Sequence, residues 1–362
     1  MGFDYSGRVR RLQMSMIDRG IDVVLLSVGA DLPYFTGYEA VQTERLTVLV
    51  VRQRDEPVLY VPDLEAPRVE RGEFEIRGWG ETDDPVALAS RVGGLPTAVA
   101  VGNHMWAGFL VGFQSQWPHA SWVKASTLTG DLRMRKEQAE IELLRRAGNG
   151  VDRVMARIPN EVPFAGRTER DVSRQLRAMT IEEGHDVAEF AIVASGPNGA
   201  SPHHDAGDRV IRPGDLVVCD YGGRVGGYYS DSTRTFSVGE PSDHHVEVHG
   251  VVLAANEAGR ASIAPGVACE DIDRAARRVI DEAGYGESFI HRTGHGIGLE
   301  VHEHPYMIEG NHQPLEVGMT FSVEPGIYLS ERFGVRIEDI VAVTPQGEDP
   351  LNKSARALQV VQ

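Results

Sequence analysis

Two domains are expected from this chain: an α/β unit over residues 1–128 and an α+β unit over 129–362. Three observations predict them. At 362 residues the chain exceeds what one ordinary core accommodates. Its first third alternates helix-period and strand-like apolar segments. From Lys136 onward, amphipathic helices interleave with short apolar strands that end in Gly- and Pro-rich turns. That order suggests helices packed on mainly antiparallel strands.

In the first unit, Val9, Leu12, Met16 and Ile17 recur at helical spacing, and Gly20 closes the helix. Val23 to Leu26, Thr47 to Val51, Val58 to Val61 and Ala98 to Val101 read as strands. A boundary is expected near residues 125–135. The second unit opens on Lys136 to Ala147, with Ile141, Leu143 and Leu144 on or near one face. Helices follow near 168–183, 244–260 and 270–283. Thr168 with Asp171 reads as an N-cap, and Gly184 and Gly284 read as helix stops. A helix pair followed by hairpins occurs twice in this order.

Hydrophobic content of 41% and charged content of 25% are ordinary for a soluble domain. The net charge of −17 argues against nucleic acid or an anionic membrane as partner. No run of 18 apolar residues occurs, so no membrane span is expected. Cys219 and Cys269 form no CxxC, which fits a reducing cytoplasm, and both are expected to pack.

The chemistry concentrates in the second unit. Leu216 to Cys219 is an apolar strand ending at Asp220, whose side chain faces away from that of Cys219. Glycines at 222, 223, 226 and 227 turn the chain back through Tyr228 to Asp231. This hairpin is expected to set Asp220 opposite Asp231. Gly294 to Gly298 reads as a glycine-packed turn presenting His295, with His291, His302 and His304 nearby. Glu324 ends an apolar strand at Pro325, and Arg336 and Glu338 share a strand face.

Each piece has a plainer reading: an exposed Asp-Gly turn, a surface Arg–Glu pair, a structural histidine. His244 and His245 are read that way, as solvated. Together, four carboxylates and an imidazole in one pocket would repel one another unless cations lay between them. An oxygen-rich shell with one nitrogen suits Mn, Co, Zn or Fe. Two ions roughly 3.5–4 Å apart would activate water, which points to a metal-dependent hydrolase.

The ordered set Asp220, Asp231, His295, Glu324 and Glu338 resembles that of the pita-bread metallopeptidases, the creatinase and methionine aminopeptidase superfamily. Ser195-Gly196-Pro197-Asn198, Pro202-His203, Asp231-Ser232-Thr233-Arg234-Thr235, His302-Glu303 and Glu324-Pro325-Gly326 carry the same resemblance. So does Arg336-Ile337-Glu338-Asp339. It covers residues 130–345 strongly and the first 125 more loosely, through Arg19 to Asp22 and Tyr34 to Gly37. It implies a creatinase-like N-terminal domain and a C-terminal pita-bread domain.

The resemblance further implies two divalent ions, Mn first, with Co or Zn as alternatives. Asp220 would hold one ion and His295 with Glu324 the other, with Asp231 and Glu338 shared. Glu324 would shuttle the proton, and His203, His302, His291 and Arg336 would lie near substrate. Arg336 could pair with a substrate carboxylate. His203 is preferred over its neighbour His204. The implied substrate is a small peptide with proline second, cleaved by an Xaa-Pro dipeptidase in a homodimer. Aminopeptidase P, acting on longer peptides, is the rival, and a non-peptide amide hydrolase the third branch. A non-enzymatic binding module is disfavoured because all five ligands are present.

Overall fold

The computed structural model describes residues 2–70, 72–91 and 94–362. The chain divides into two compact units, Met1–Arg133 and Met134–Gln362.

In the first unit, helix α1 (Tyr5–Arg19) ends where Gly20 takes a left-handed conformation at φ 65°. Val9, Leu12 and Met16 are buried, but Ile17 is 46% exposed, because its place on the helix turns it off the apolar stripe. Strands β1 (Val23–Ser27), β2 (Val48–Arg52), β3 (Val58–Pro62), β4 (Glu75–Trp79), β5 (Ala98–Val101) and β6 (Ser121–Lys124) form one sheet, ordered β4-β3-β2-β1-β5-β6. It is mixed: β1 runs antiparallel to β2 and parallel to β5. Helices α2 (Asp31–Thr36), α3 (Pro85–Ser90), α4 (Ala107–Gln116) and α5 (Ser126–Met134) complete the run.

The second unit repeats one plan. Helices α6 (Gln138–Glu161) and α7 (Glu169–Glu182) precede β7 (Val187–Ser195), β8 (Leu216–Val225), β9 (Tyr228–Tyr229) and β10 (Ser232–Val238). Helices α8 (Asp243–Ala261) and α9 (Cys269–Glu282) precede β11 (Gly294–Gly296), β12 (Glu303–Met307), β13 (Thr320–Val323), β14 (Gly326–Leu329), β15 (Phe333–Arg336), β16 (Asp339–Thr344) and β17 (Gly347–Pro350). A last strand, β18 (Gln359–Val361), runs parallel to β10. The sheets are ordered β18-β10-β8-β7 and β12-β11-β13-β16-β17, with β14-β15 as a separate ribbon.

Each helix pair backs a sheet. Val151, Val154, Val172 and Leu176 pack on Val217, Cys219, Tyr221 and Phe236. Cys269 and Ile272 pack on Met307, Phe321 and Val341, while Val252, Ala276 and Ile280 pack on Val335 and Ile337. Strand alternation therefore turns Asp220 away from this helix-covered face.

Helix α6 is longer than its periodicity suggested, continuing past Ala147 through Gly148 and Gly150. Both glycines permit close approach. A Cβ on Gly148 would collide with the Leu351 carbonyl, and one on Gly150 would lie 2.5 Å from the His185 ring. Tertiary contact overrides poor helix propensity here. Thr168 caps α7 by accepting from the Asp171 amide. Gly184 (φ 96°) and Gly284 (φ 84°) stand one residue beyond the caps Glu183 and Ala283.

Candidate metal centre

Two strands and three strand-joining segments bring the five expected ligands to one cavity of about 780 Å³. Asp220 sits within β8, opposite Ile192 of β7 and Thr233 of β10. The expected Asp220–Asp231 opposition is thus corrected: Thr233 takes that place, and Asp231 lies in the gap between β9 and β10. The Gly-rich hairpin shifts the return strand. His295 stands in β11, so its segment is a strand where a turn was expected. Cβ atoms on Gly294 and Gly296 would collide with the carbonyls of Ser322 and His304, so these glycines admit neighbouring strands. Glu324 follows β13, and Glu338 falls between β15 and β16.

Nitrogen and oxygen atoms converge there. Asp231, His295 and Glu338 each offer a donor atom, all within 4.8 Å of one another. His295 Nε2 lies 3.2 Å from Glu324 Oε1 and 3.7 Å from Asp231 Oδ2. Its Nδ1–H donates to the Gly296 carbonyl at 3.1 Å, which leaves Nε2 as a lone-pair nitrogen facing carboxylates. Oδ1 of Asp220 and Oδ1 of Asp231 are buried and have no hydrogen-bond partner among the described residues. Unsatisfied buried carboxylate oxygens are costly unless a cation or donor meets them.

The charges reflect this conflict. Burial, then Glu338, Asp220 and Glu324, push the Asp231 carboxyl well above the usual range. Burial, then Glu324 and Asp220, do the same to Glu338. Burial also works upward on Glu324, but His295, His291 and Arg336 outweigh it and hold that carboxyl low. A donor set of four hard carboxylates and one imidazole, two of its oxygens orphaned, fits a pair of divalent cations.

The surrounding residues are ordered by hydrogen bonds that span the fold. Thr233 Oγ1–H donates to Glu338 Oε2 at 2.6 Å. Ser322 Oγ–H donates to Glu324 Oε1 at 3.0 Å. Arg336 is 3% exposed and donates to Asp220 Oδ2 (2.7 Å), Thr233 Oγ1 (3.1 Å), Tyr328 OH (2.9 Å) and the Pro202 carbonyl (3.3 Å). Four of its five N–H donors are taken within the protein, so Arg336 serves to hold Asp220, Thr233 and Tyr328, where a partner for a substrate carboxylate was expected.

His291 Nδ1–H donates to the Arg292 carbonyl at 2.7 Å, so its Nε2 accepts from Tyr328 at 2.8 Å. Burial pushes the Tyr328 hydroxyl up to about 12, which keeps it a donor. Thr233, Ser322 and Tyr328 were missed from sequence. Thr233 lay within a quoted motif, but nothing local marked Tyr328.

His203 and His302 line the cavity, and the His302 ring stands edge-on to His295 at 4.1 Å. His204 instead pairs with buried Glu169 at 2.8 Å. Cys219 is buried in the helix-covered core, and burial pushes the Cys269 thiol up to about 11, so neither is poised as a nucleophile. His244 and His245 are half-buried, with ring contacts to Phe333, where solvation was expected. The aromatic ring of β15 covers them.

Residues 8–135 match the creatinase/prolidase N-terminal domain, and residues 142–345 match metallopeptidase family M24. The probable dipeptidase PepE of Mycobacterium tuberculosis is 44% identical, over 99% of this chain and 98% of the relative. The Xaa-Pro dipeptidase of Lactobacillus delbrueckii subsp. lactis is 34% identical, over 97% and 98%. The solved prolidase of Thermococcus sibiricus superposes with a TM-score of 0.95 at 35% identity, covering 100% of both chains. The cavity lined by Asp220, Asp231, His295, Glu324 and Glu338 lies in a pita-bread domain that follows a creatinase-type N-terminal domain, and the chain belongs to metallopeptidase family M24.

Proposed function

We propose that this chain hydrolyses the Xaa-Pro bond of dipeptides, with two divalent cations held by Asp220, Asp231, His295, Glu324 and Glu338. The observation that supports the reading is that those five side chains line one cavity, with donor atoms of Asp231, His295 and Glu338 within 4.8 Å of one another and one oxygen each of Asp220 and Asp231 orphaned. Manganese is the first expectation for the ions, with cobalt or zinc next. When bound, the cations supply Lewis acidity and lower the pKa of water.

The rest falls to the side chains. Glu324 has one oxygen held by Ser322, which leaves the other to take a proton from the attacking water. The nitrogen of an Xaa-Pro bond carries no hydrogen and must gain one as the C–N bond breaks. Glu324 hands its proton to that nitrogen. His203 and His302 orient the scissile carbonyl from the cavity wall. Tyr328 and Arg336 position His291 and Asp220 through the hydrogen bonds described above. Phe190, Ile192, Phe289 and Val301 provide the apolar wall that a pyrrolidine ring requires. We take the working form to be a cytoplasmic homodimer; a monomeric mass in solution would overturn the dimer.

The test is metal-stripped protein reloaded separately with Mn, Co and Zn. It is assayed on an Xaa-Pro dipeptide, an Xaa-Pro-Xaa tripeptide and a matched peptide without proline. Metal-dependent cleavage of the dipeptide alone is expected. Preference for the tripeptide would move the activity to aminopeptidase P. Failure on every peptide despite bound metal would sink the peptidase reading.

A further inference from the structure

His203 lines the cavity, yet among the described residues its ring makes no hydrogen bond that would fix it there. Its position is set by its neighbours in the chain. After β7 and the 3₁₀ turn Gly196–Ala200, the His204 amide closes onto the Ser201 carbonyl at 3.3 Å. Pro202 and His203 are the central pair of that turn, and proline at the first central place presets the backbone. Both flanking residues are tied down. The Pro202 carbonyl accepts from Arg336 at 3.3 Å. On the other side, His204 Nε2–H donates to Glu169 Oε2 at 2.8 Å.

Glu169 is the fixed point behind the turn. It is the first residue of α7 after the Thr168 cap, and it is wholly buried. Its Oε1 accepts from the Ser195 amide at 2.8 Å, the Ser195 hydroxyl at 2.7 Å and Asn198 Nδ2 at 3.0 Å. Its Oε2 also accepts from the Gly207 amide at 3.3 Å. One carboxylate thus gathers donors from both sides of His203. Burial works to raise the Glu169 carboxyl, but Ser195, His204 and Asn198 outweigh it and keep the group an acceptor. Neither Glu169 nor His204 lines the cavity.

We propose that the His204–Glu169 pair is a positioning device that holds the turn so that His203 faces the scissile carbonyl. The assignment rests on the Xaa-Pro reading above for what His203 does there. Without His204 the turn is held only from the Arg336 side. A misplacement of about 1 Å at a reacting group can cost about 10²-fold in rate.

The experiment is a double-mutant cycle in manganese-loaded protein: wild type, His203→Ala, His204→Ala and both together, assayed on an Xaa-Pro dipeptide. His204→Ala is expected to lower kcat about 10-fold with little change in KM. In the His203→Ala background the same change should cost less than about 2-fold, because the group it acts through is gone. His204→Gln should recover part of the loss, since its amide N–H also donates. An equal loss in both backgrounds, or no loss in wild type, would overturn the assignment and leave the Xaa-Pro reading standing. A second readout needs no turnover: hydrogen exchange over residues 199–207, read by mass spectrometry. His204→Ala should speed exchange there while α7 stays protected. If wild type cleaves no Xaa-Pro dipeptide, the Xaa-Pro reading fails and exchange decides the positioning role. Exchange also decides it if His203→Ala is inactive. Faster exchange in His204→Ala supports the assignment; unchanged exchange overturns it.

Discussion

Glu324 and Tyr328 show how much chemistry a single side chain carries here. Replacing Glu324 with Gln keeps the shape and one carbonyl oxygen but removes the proton carrier. General acid–base groups contribute about 10²- to 10⁴-fold, so Glu324→Gln should lower kcat by that order. Metal analysis of the same sample checks that ions remain bound. Tyr328 stands between Arg336 and His291, accepting from the guanidinium and donating to the imidazole. Tyr328→Phe strands a guanidinium N–H and an imidazole nitrogen. It should cost roughly 1–3 kcal/mol in urea unfolding and lower kcat more than it raises KM. The candidate ligands were picked out because their chemistry is local to each motif, and all five line the one cavity. Tyr328 was not, because its role exists only where the hairpin of β14 and β15 folds back on His291.

At the scale of elements, glycine misled and informed in turn. Around His295 it suggested a turn, yet β11 is a strand threaded between β12 and β13. Gly294→Ala would press a methyl group into the Ser322 carbonyl. A cost of about 1–3 kcal/mol is expected, read as a lower urea midpoint, with weaker metal retention because His295 follows directly. Helix α7 is the opposite case. Its Thr168 cap was readable from residue type and spacing alone, and the Asp171 amide donates to it at 3.2 Å. Thr168→Ala should lower stability by about 1 kcal/mol in the same assay and leave the metal site intact.

For the molecule as a whole, the buried carboxylates make stability depend on cations. Ligands that bind only the folded state stabilise it by about 3 kcal/mol at a hundred times their Kd. Metal-stripped protein should therefore melt lower than manganese-loaded protein, by a margin that grows with manganese concentration. A flat melting temperature would count against the metal site without any assay of turnover.

Acid acts at a separate place. His249 is 4% exposed in α8, and burial, aided by Arg234, lowers its pKa to about 4. The ordinary value of about 6.5 returns on unfolding. Above that value neither state binds the proton and nothing is lost. As pH falls from 6.5 towards 4 the unfolded state gains a proton that the folded state refuses, so stability declines. His249 by itself should contribute about 2 kcal/mol to the loss between pH 7 and pH 5. His249→Leu should shrink the wild-type difference by about that amount in paired urea titrations.

Sequence alone determined the two-part fold class and the identity of the five candidate ligands. Periodicity, capping and side-chain chemistry are properties of short segments. Tertiary structure decided which of these groups are free to act. It set Thr233 rather than Asp231 opposite Asp220, and turned His204 onto Glu169 while His203 faces the cavity. It enclosed Arg336 with partners as far away in the chain as Pro202. A charge's partners come from strands paired across long stretches of chain. Whether a charged side chain is a structural tie or faces the cavity is therefore settled only when those strands meet.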